Sequence, residues 1–577
     1  MSDGPRLTAF GTLFTLILVG GLISLGVWLV MRPVPPPANP QATGTQQTAG
    51  AQQTAGAQPA PSSAQIANEP PDPDAPKTIE PATAVVRLDA AAPYTAQGGV
   101  LDVSISEYAG YAGLIAANGG KLEPNPESLF AKRFGFQVRL KRAEADLFSD
   151  VNAGKLAALA TTVDTLAVLG RQFNVTVPVQ IGFSRGADGI IVRSDISSLN
   201  ALRGQVISAA QFNETDFLIR YLAGEAGIPV QVLPDLTQRP AADRIGVVFC
   251  EDAFSAANLF ASELKRAHPR LAGCIGWAPR IYEVLDASQG KARLLVSNKN
   301  LLLVADILVF NRAWATANPT QVAGLVTGLI AGNQEVRDHP EAHLTELEKA
   351  FGWKADQAKL ELSRVHLSNL PENRAFFAGT IDSAGSFGGI FQSAVGAYGS
   401  QLIPNPADPD RFLDQTALAA LETSGEFKDQ RIAIAPIRSN AGAPLEGNPL
   451  LSKDIRFFFE PNSAKLDLSS ADNTRWLDSI RSYLQVSPGS LIVLRGHVDN
   501  ARVEEFRKQG GDPLVKAMAL KAMELSKQRA AEVKKVLIER LKLDPTRLEA
   551  VGRGWEEPSG ADADHNRRVE VQWFTLE

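Results

Sequence analysis

An uncharged apolar stretch near the start of the chain constrains its folding most, because no residue between Arg6 and Arg32 carries a charge. Residues 7–31 are rich in Leu, Val, Ile, Phe and Gly, and at ~1.5 Å per residue such a helix spans a ~30 Å hydrocarbon core. A cleaved signal peptide is the alternative, but its apolar region runs only ~7–15 residues and no small-residue cleavage site follows here. The sequence predicts a cytoplasmic tail at 1–6, a transmembrane helix at 7–31 and the bulk of the chain outside.

The segment after this helix is biased in composition. Residues 33–81 consist mostly of Pro, Ala, Gln, Thr and Gly, and Gln-Gln-Thr-Ala-Gly-Ala occurs at 46–51 and again at 52–57. Such a segment has little apolar surface to bury and is typical of a flexible tether. We therefore expect a disordered linker over residues 32–97.

Charge and motif content exclude several classes of function. The net charge of -6 argues against nucleic acid as a partner. The sequence has no G-x-S-x-G, P-loop or C-x-x-C motif, and His339 and His343 share a helix face without further metal ligands nearby. We expect neither an enzyme nor a bound cofactor or metal.

The last quarter of the chain alternates between strands and helices. Its apolar runs predict short strands separated by helices, which together form an α/β sandwich over residues 452–577. The predicted strands are at 454–459, 490–495, 548–552 and 568–574, with a helical run ending near 484 and a long helix at 525–541.

Five motifs in this region occur in a fixed order: FFFEPNSAKL, RGHVDN, LSKQRAAEVKKVL, RLEAVGRGWEEP and NRRVEV. Together they resemble the OmpA-like C-terminal domain, a family that binds the diaminopimelate peptide stem of peptidoglycan. The resemblance implies that Asp499 accepts hydrogen bonds from the ligand ammonium and that Arg529 grips its carboxylate in bidentate fashion. Asn500 and Asn566 would support the ligand.

Two departures from the family pattern affect this site. Val498 replaces the usual Thr, and the segment between Asn500 and Leu525 is longer than typical. The alternative reading is that Asp499 caps the following turn and Arg529 makes a surface salt bridge. Two further arginines, Arg567 and Arg568, would contact either the ligand or the rest of the fold.

The central part, residues 98–400, also alternates strands with helices, which predicts parallel sheets in two lobes. Strands are expected at 100–105, 136–141 and 206–209, and residues 177–183 are expected to pair with 189–193. Residues 401–451 form a connector to the last domain.

The central motifs SISEYAGYAGLIAANGG, AALATTVDTLAVLG and FSRGADGIIVRSDISSLNALRGQVISAAQFNETDFLIRYLAGEAG resemble periplasmic solute-binding proteins of the nitrate/sulfonate/taurine and thiamine-precursor class. The resemblance implies a two-lobed fold of type II. It also implies a cleft lined by Glu107, Tyr108, Tyr111, Thr161, Thr162, Ser184, Arg185, Gly186, Gln211, Asn213, Thr215, Trp277 and Asp306.

The chemistry of this lining favours a small anionic or zwitterionic solute. Residues 211–215 open a helix whose free N–H groups attract anions, and Arg185 offers a clamp. Tyr108, Tyr111 and Trp277 would form apolar walls. The alternative is that these aromatic residues are core and that residues 184–186 are an ordinary turn.

Cys250 and Cys274 are the only two cysteines of the chain. An even pair in an oxidising compartment predicts a disulfide, with two buried thiols as the alternative.

Three functions compete at this stage. The favoured one is an inner-membrane protein, in the periplasm of a Gram-negative bacterium, that binds peptidoglycan and presents a solute-binding domain to a membrane protein complex. The second is an envelope scaffold whose central domain binds a protein. The third, a proton-driven stator subunit, requires a carboxylate at membrane depth, and residues 7–31 contain none.

Overall fold

The computed structural model describes residues 79–143, 147–380, 385–434, 449–460, 463–487, 489–560 and 563–575. The chain divides into two units, Met1–Asp72 and Pro73–Glu577, and the described residues belong to the second. The predicted transmembrane helix at 7–31 lies outside them. Within the described part, no helix is long and apolar enough to cross a membrane.

Strands of the central part form two sheets. The strands are β1 Val100–Ile105, β2 Gln137–Arg142, β3 Ala158–Thr162, β4 Val175–Ser184, β5 Asp188–Arg193, β6 Val206–Ala210, β7 Val230–Val232, β8 Ile245–Cys250, β9 Gly273–Trp277, β10 Ala292–Ser297, β11 Ala305–Asn311 and β12 Val365–Leu367. The first lobe has the order β12-β4-β11-β3-β1-β2 and the second has β10-β5-β9-β6-β8-β7. The two predicted lobes are therefore present.

Both sheets are mixed rather than wholly parallel. β1 runs parallel to β2 and β3, but β11 is antiparallel to β3 and β4, and β5 is antiparallel to β9 and β10. The predicted pairing of 177–183 with 189–193 is wrong, because β4 belongs to the first sheet and β5 to the second. The chain crosses between lobes in the short segment from Ser184 to Asp188, and an apolar run does not reveal its pairing partner.

Helices cover these sheets and connect their strands. They are α1 Ala112–Ala117, α2 Leu129–Phe134, α3 Phe148–Asn152, α4 Val163–Leu169, α5 Glu214–Glu225, α6 Ala253–Glu263, α7 Arg280–Ala287, α8 Arg312–Ala317, α9 Pro319–Asp338, α10 Leu344–Phe351, α11 Ala355–Leu362, α12 Leu370–Ala378, α13 Phe387–Leu402 and α14 Thr416–Ser424.

Strand register brings the functional edges of both sheets to the crossover between lobes. In the first sheet Asp306 of β11 lies opposite Thr162, the last residue of β3. In the second, Asp188 of β5 lies opposite Trp277, the last residue of β9. The chain also returns between lobes here, from the end of β10 to the start of β11. The carboxyl ends of the parallel strands thus meet at the hinge, the usual place for a ligand in open α/β sheets.

The C-terminal domain has a four-stranded sheet of order β13-β16-β14-β15. Its elements are β13 Leu451–Ile455, α15 Ala471–Val486, β14 Leu491–Gly496, α16 Val503–Leu541, β15 Leu548–Gly552, α17 Ala563–Asn566 and β16 Val569–Phe574. The predicted first strand at 454–459 is displaced, since only Leu451–Ile455 pairs with β16. The long helix starts well before the predicted residue 525, with non-helical backbone angles at Gly510 and Gly511 and with Pro513, which lacks an N–H donor, just after them.

Residues 79–97, expected at the end of a disordered linker, lie along both lobes. Thr83 donates its N–H to Gln211 Oε1 of the second lobe at 2.9 Å. Leu88 donates to Gln172 Oε1 of the first lobe at 3.0 Å, and Asn311 donates to the carbonyl of Ala92 at 2.8 Å. Side-chain amides from distant segments therefore satisfy this backbone, a source of order that local composition does not reveal. We call residues 79–97 the N-terminal strap.

The connector packs on the first lobe. α14 contacts α9 and α12, and the carbonyl of Phe412 accepts a hydrogen bond from Thr176 Oγ1 at 3.1 Å. Glu372 of α12, fully buried, accepts the N–H groups of Ala433 and Ile434 at 2.7 and 3.0 Å. This carboxylate therefore holds the end of the connector against the lobe.

The C-terminal domain shares a hydrophobic core with the second lobe. Leu199 donates its N–H to the carbonyl of Leu450 at 2.9 Å. Asn200 and Ser452 exchange two hydrogen bonds of 2.9 and 2.8 Å. Apolar side chains of both domains belong to one continuous cluster, Leu199 among them. The domains are therefore fused along a packed seam.

We expect Glu372→Ala to destabilise the chain by ~3 kcal/mol, because it leaves the buried amides of Ala433 and Ile434 without acceptors. Calorimetry should show the affected unfolding midpoint lowered by roughly 6–12 °C. Burial opposes ionisation of Glu372, but His366 lowers its pKa below the usual range. The effect should therefore be full at neutral pH and shrink below the ~4.3 of an unfolded Glu.

Glu422→Ala is the matched control, since Glu422 pairs with Arg374 at 3.1 Å on the exposed surface. An exposed pair contributes ~0–1 kcal/mol, so its midpoint should hardly move. Equal effects of the two substitutions would contradict the assigned role of Glu372.

Candidate functional site

The turn after β14 positions the first predicted wall-site residue. Asp499 Oδ1 accepts the N–H of Ala501 at 3.2 Å, and Oδ2 pairs with Arg567 at 3.2 Å. The turn-capping interaction of the alternative reading is therefore present. The second oxygen, however, faces a cation that the NRRVEV motif contributes, so Asp499 does more than cap a turn.

Arg529 projects from α16 toward the same end of the domain. Its guanidinium carbon lies 5.0 Å from the centre of the Phe459 ring, and its Nε is buried without a hydrogen-bond partner. Burial lowers the pKa of Arg529, as does the positive charge of Arg567, while Asp499 raises it. Asp499, Arg529 and Arg567 are thus close enough to influence one another, and the surface salt bridge of the alternative reading is not among the ion pairs of the described residues.

Two neighbouring pockets surround these residues. One, of about 200 Å³, is lined by Arg456, Phe457, Phe458, Phe459, His497, Arg529, Arg567 and Arg568. The other, of about 210 Å³, is lined by Val498, Asp499, Arg502, Phe506, Met518, Lys521, Ala522, Leu525 and Trp555. Asp499 and Arg529 therefore line adjacent pockets, and the extra residues after Asn500 form one wall of the second.

Sequence reasoning missed the aromatic part of this site. Phe459 lies under Arg529, and Phe506 stacks on Trp555 with ring centres 6.3 Å apart. The signal for Phe459 and Trp555 was their place inside the FFFEPNSAKL and RLEAVGRGWEEP motifs. Phe506 lies in the inserted segment and carried no such signal.

The two predicted supporting asparagines occupy different environments. Asn566 is 1% exposed, and its amide accepts the N–H of Ser559 at 2.8 Å and donates to the carbonyl of Gly560 at 2.9 Å. Its side chain therefore shapes the loop before α17. Asn500 is exposed beside Asp499, where its side chain faces solvent.

An ionic cluster lies behind the wall site. His497, Glu557 and Glu570 have ligand-type atoms within 4.8 Å of one another, as a metal would require. Arg495 already pairs with Glu557 at 2.6 Å and with Glu570 at 3.1 Å. Burial would raise the pKa of Glu570, but the neighbouring His497, a hydrogen bond from Gln572 and the charge of Arg495 lower it to about 2. The arrangement is that of a neutralised ion-pair network.

In the central cleft, residues predicted to bind solute fall into two groups. Those at the sheet edges face the hinge: Tyr108, Tyr111, Thr161, Thr162, Ser184, Trp277 and Asp306. The others hydrogen-bond to groups of this chain, as Ser184 and Thr162 of the first group also do: Glu107, Arg185, Gly186, Gln211, Asn213 and Thr215.

The N–H groups at the start of α5, where an anion was expected to bind, donate to side chains of the same segment. Asn213 caps the helix by accepting the N–H of Thr215 at 3.0 Å, and Asp216 accepts that of Phe212 at 3.2 Å. Glu214 and Asp216 place negative charge in the first turn. Tyr398 of α13 donates to the carbonyl of Asn213 at 3.3 Å. The positive end of this helix is therefore neutralised, which disfavours an anion there.

Arg185, the other residue expected to bind an anion, is instead hydrogen-bonded to the backbone. Its Nε donates to the carbonyl of Lys299 at 3.1 Å, and burial lowers its pKa. Glu107 instead accepts the indole N–H of Trp353 at 2.7 Å. Both side chains thus serve contacts within the first lobe and the hinge.

Buried acids that the sequence analysis did not select lie at the hinge beside Asp306. Burial raises the pKa of Asp164 to about 7 and that of Asp188 to about 6. Burial and the nearby charge of Asp188 raise the pKa of Asp306 well above its usual range. Both carried a signal in the sequence, because Asp164 belongs to the quoted AALATTVDTLAVLG motif and Asp188 to the motif that begins FSRGADG.

The predicted disulfide is absent, and both cysteines are free and buried. Cys250 ends β8 opposite Ala210 of β6, while Cys274 of β9 lies opposite Ser208 on the other side of β6. The two cysteines are thus two strand spacings apart, roughly 10 Å, which exceeds the ~7 Å that a disulfide spans. The two-thiol alternative holds.

Comparison with known proteins identifies the last domain. Residues 458–572 match the OmpA family, so this part of the chain is an OmpA family domain. A search of curated proteins found no match.

Solved structures are similar over the central part. The alkanesulfonate-binding protein SsuA from Xanthomonas axonopodis pv. citri, bound to MOPS, has 16% identity and a TM-score of 0.40 over 56% of this chain and 99% of that one. The aliphatic sulphonate-binding protein SsuA from Escherichia coli has 15% identity and a TM-score of 0.41, over 55% of this chain and 93% of that one. The desulfurization enzyme DszB has 14% identity and a TM-score of 0.38, over 56% of this chain and 99% of that one. At these values the ligand has to be inferred from the residues of this chain.

We expect both cysteines to react with a thiol reagent only after unfolding. Cys250 is 3% exposed and Cys274 fully buried, and burial raises the pKa of Cys250 to about 12, so little reactive thiolate exists at neutral pH. Mass spectrometry without any reductant should find no label on the native chain and two labels in denaturant. An unlabelled chain in denaturant, converted to two labels by reductant, would contradict the strand arrangement.

Proposed function

We propose that this chain is an envelope protein that binds peptidoglycan non-covalently through its OmpA family domain and presents a two-lobed solute-binding domain beside it. The predicted helix at 7–31 would anchor it in the inner membrane of a Gram-negative bacterium, with the bulk of the chain in the periplasm. Residues up to 78 would then form the tether between the membrane and the N-terminal strap.

One observation carries the wall-binding proposal: Asp499 and Arg529 lie at the same end of the domain, each beside a pocket. A diaminopimelate stem ends in an ammonium and a carboxylate on one carbon, so it needs one anion and one cation at a short separation. Asp499 supplies the anion, already able to bind Arg567. Arg529 supplies a guanidinium whose Nε is buried and unpaired.

The geometry also suggests how the ligand would enter. The ligand ammonium would compete with Arg567 for Oδ2 of Asp499, while Oδ1 keeps its contact with Ala501. The ligand carboxylate would offset the burial and the repulsion from Arg567 that lower the pKa of Arg529. The Phe459 ring lies 5.0 Å from the guanidinium carbon and restricts this side chain, which reduces the entropy lost on forming a bidentate contact.

The solute-binding proposal rests on the hinge. Two sheets meet there at the carboxyl ends of their parallel strands, and buried polar groups such as Asp306 line the junction. The scaffold alternative has one observation in its favour: the N-terminal strap and α13 occupy the rim of the cleft at Gln211 and Asn213. A domain that binds a protein would present this covered rim rather than an open cleft.

Asp499→Ala and Arg529→Ala should each reduce retention on diaminopimelate-type peptidoglycan at least ~10-fold, since a charge-assisted hydrogen bond contributes ~1.5–3 kcal/mol. The measurement is co-sedimentation of the purified full-length chain with insoluble sacculi. Lysine-type peptidoglycan lacks the stem carboxylate. It should therefore retain the parent chain about as poorly as diaminopimelate-type peptidoglycan retains the two variants.

Asp472→Ala and Arg475→Ala are the matched controls, because they disrupt an exposed Asp–Arg pair of 3.0 Å on α15 of the same domain. Both should sediment like the parent chain. If the Asp499 and Arg529 variants also sediment like the parent, the wall site lies elsewhere.

A further inference from the structure

Three buried carboxylates lie where the two lobes meet. Asp164 follows β3 in the first turn of α4, Asp306 is the second residue of β11 and lies opposite Thr162, and Asp188 opens β5 opposite Trp277. Asp164 is 1% exposed, and Asp188 and Asp306 are each 4% exposed. Because Asp188 comes from the second lobe and the other two from the first, closure of the lobes gathers negative charge at the hinge.

Two of these carboxylates have unsatisfied oxygens. Both oxygens of Asp164 and Oδ2 of Asp306 are buried without a hydrogen-bond partner. Asp188 differs, since its Oδ2 accepts hydrogen bonds from Ser184 Oγ at 2.5 Å and Asn298 Nδ2 at 2.7 Å. An unsatisfied buried carboxylate is strongly unfavourable unless it is protonated or compensated. The arrangement therefore calls for protons or for a positively charged group.

Nearby cations of the chain do not provide this compensation. Arg220 is committed to Asp216 at 2.6 Å, and Arg185 donates to the carbonyl of Lys299. Among the described residues, the ion pairs include none to Asp164, Asp188 or Asp306. The titratable groups that face the cluster are therefore other acids and the phenols of Tyr108 and Tyr398.

Aromatic rings border the carboxylates. Trp277 is the cross-strand neighbour of Asp188, and its indole N–H is buried without a partner. The Tyr108 hydroxyl is also buried and unpaired, and burial followed by the charges of Asp306 and Asp188 raises its pKa. Tyr108 packs edge-on against Tyr111, and Trp277 against Phe254, with ring centres 5.4 and 5.9 Å apart. Aromatic rings beside carboxylates attract organic cations.

The spacing of the carboxylates disfavours a metal ion. Among the described residues, a group of acids and histidines with ligand atoms within 4.8 Å of one another occurs at His497. The three hinge carboxylates do not form such a group. A metal draws its ligands to ~2.0–2.6 Å and therefore holds them close together. Carboxylates further apart suit a larger cation.

We propose that the hinge cleft binds a small organic ammonium cation, with Asp164, Asp188 and Asp306 as its counter-charges and Tyr108 and Trp277 as its walls. This inference rests on the proposed solute-binding function and replaces the anionic ligand expected from the sequence. The cation supplies a positive charge to Asp164 and Asp306, which form no ion pair among the described residues. Its binding keeps these carboxylates ionised, so it releases protons at a pH where the empty site is partly protonated.

The test is titration calorimetry of the full-length chain with choline and putrescine as cationic probes and with ethanesulfonate and nitrate as anionic ones. At least one cation should bind, and its affinity should rise several-fold from pH 5.5 to pH 8. Asp164→Asn and Asp306→Asn should each weaken binding at least tenfold. Asp195→Asn, which alters an exposed acid paired with Arg193 on the second lobe, should bind like the parent.

Other outcomes separate this inference from the function on which it rests. Binding of an anion without either cation would overturn the ammonium site and leave solute binding standing. Binding of none of the four probes, with unfolding midpoints of the Asn variants equal to or above that of the parent, would overturn both. If one Asn variant fails to fold, the other and the pH dependence of the parent still decide the question.

Discussion

A hydrophobic core shared by the second lobe and the OmpA family domain is the constraint on which the rest of the structure depends. The seam is closed by backbone contacts from Leu199 to Leu450 and by paired hydrogen bonds between Asn200 and Ser452. Tyr483 of the last domain also reaches the carbonyl of Glu225 at 3.2 Å. The same cluster also includes first-lobe residues such as Val177 and Ile307, so the OmpA family domain is packed into the core of the two-lobed part.

The hinge, in turn, is where charge and packing conflict. Asp164 and Asp306 are buried with oxygens that lack a hydrogen bond of normal geometry, although Thr162 and Tyr108 lie near enough to lower the pKa of Asp164 and Asp306 respectively against the effect of burial. The N-terminal strap reaches both lobes across this region, and α13 closes the start of α5. These contacts cover part of the rim of the cleft, and the buried carboxylates beneath it disfavour an anion.

Much of the fold could be predicted because many strands are apolar runs bounded by turn residues. The strands Leu548–Gly552 and Val100–Ile105 were predicted to the residue. What failed depended on distant partners: β4 and β5 lie in different sheets, the strap is ordered by Gln172 and Gln211, and β6 separates the two cysteines. For the proposed wall site, motif order predicted Asp499 and Arg529, but the contact of Asp499 with Arg567 and the pocket wall that Phe506 forms needed the structure. The hinge acids needed it too, since burial gives them their chemistry.

The most direct test of the central claim is a crystal structure of the chain soaked with meso-diaminopimelate. One end of the ligand should occupy the wall site, with its ammonium ~3 Å from Asp499 and its carboxylate ~3 Å from the Arg529 guanidinium. The Asp499–Arg567 contact of 3.2 Å should open or be shared with the ligand. Density for the ligand elsewhere, with that contact unchanged and Arg529 still stacked alone on Phe459, would contradict that claim.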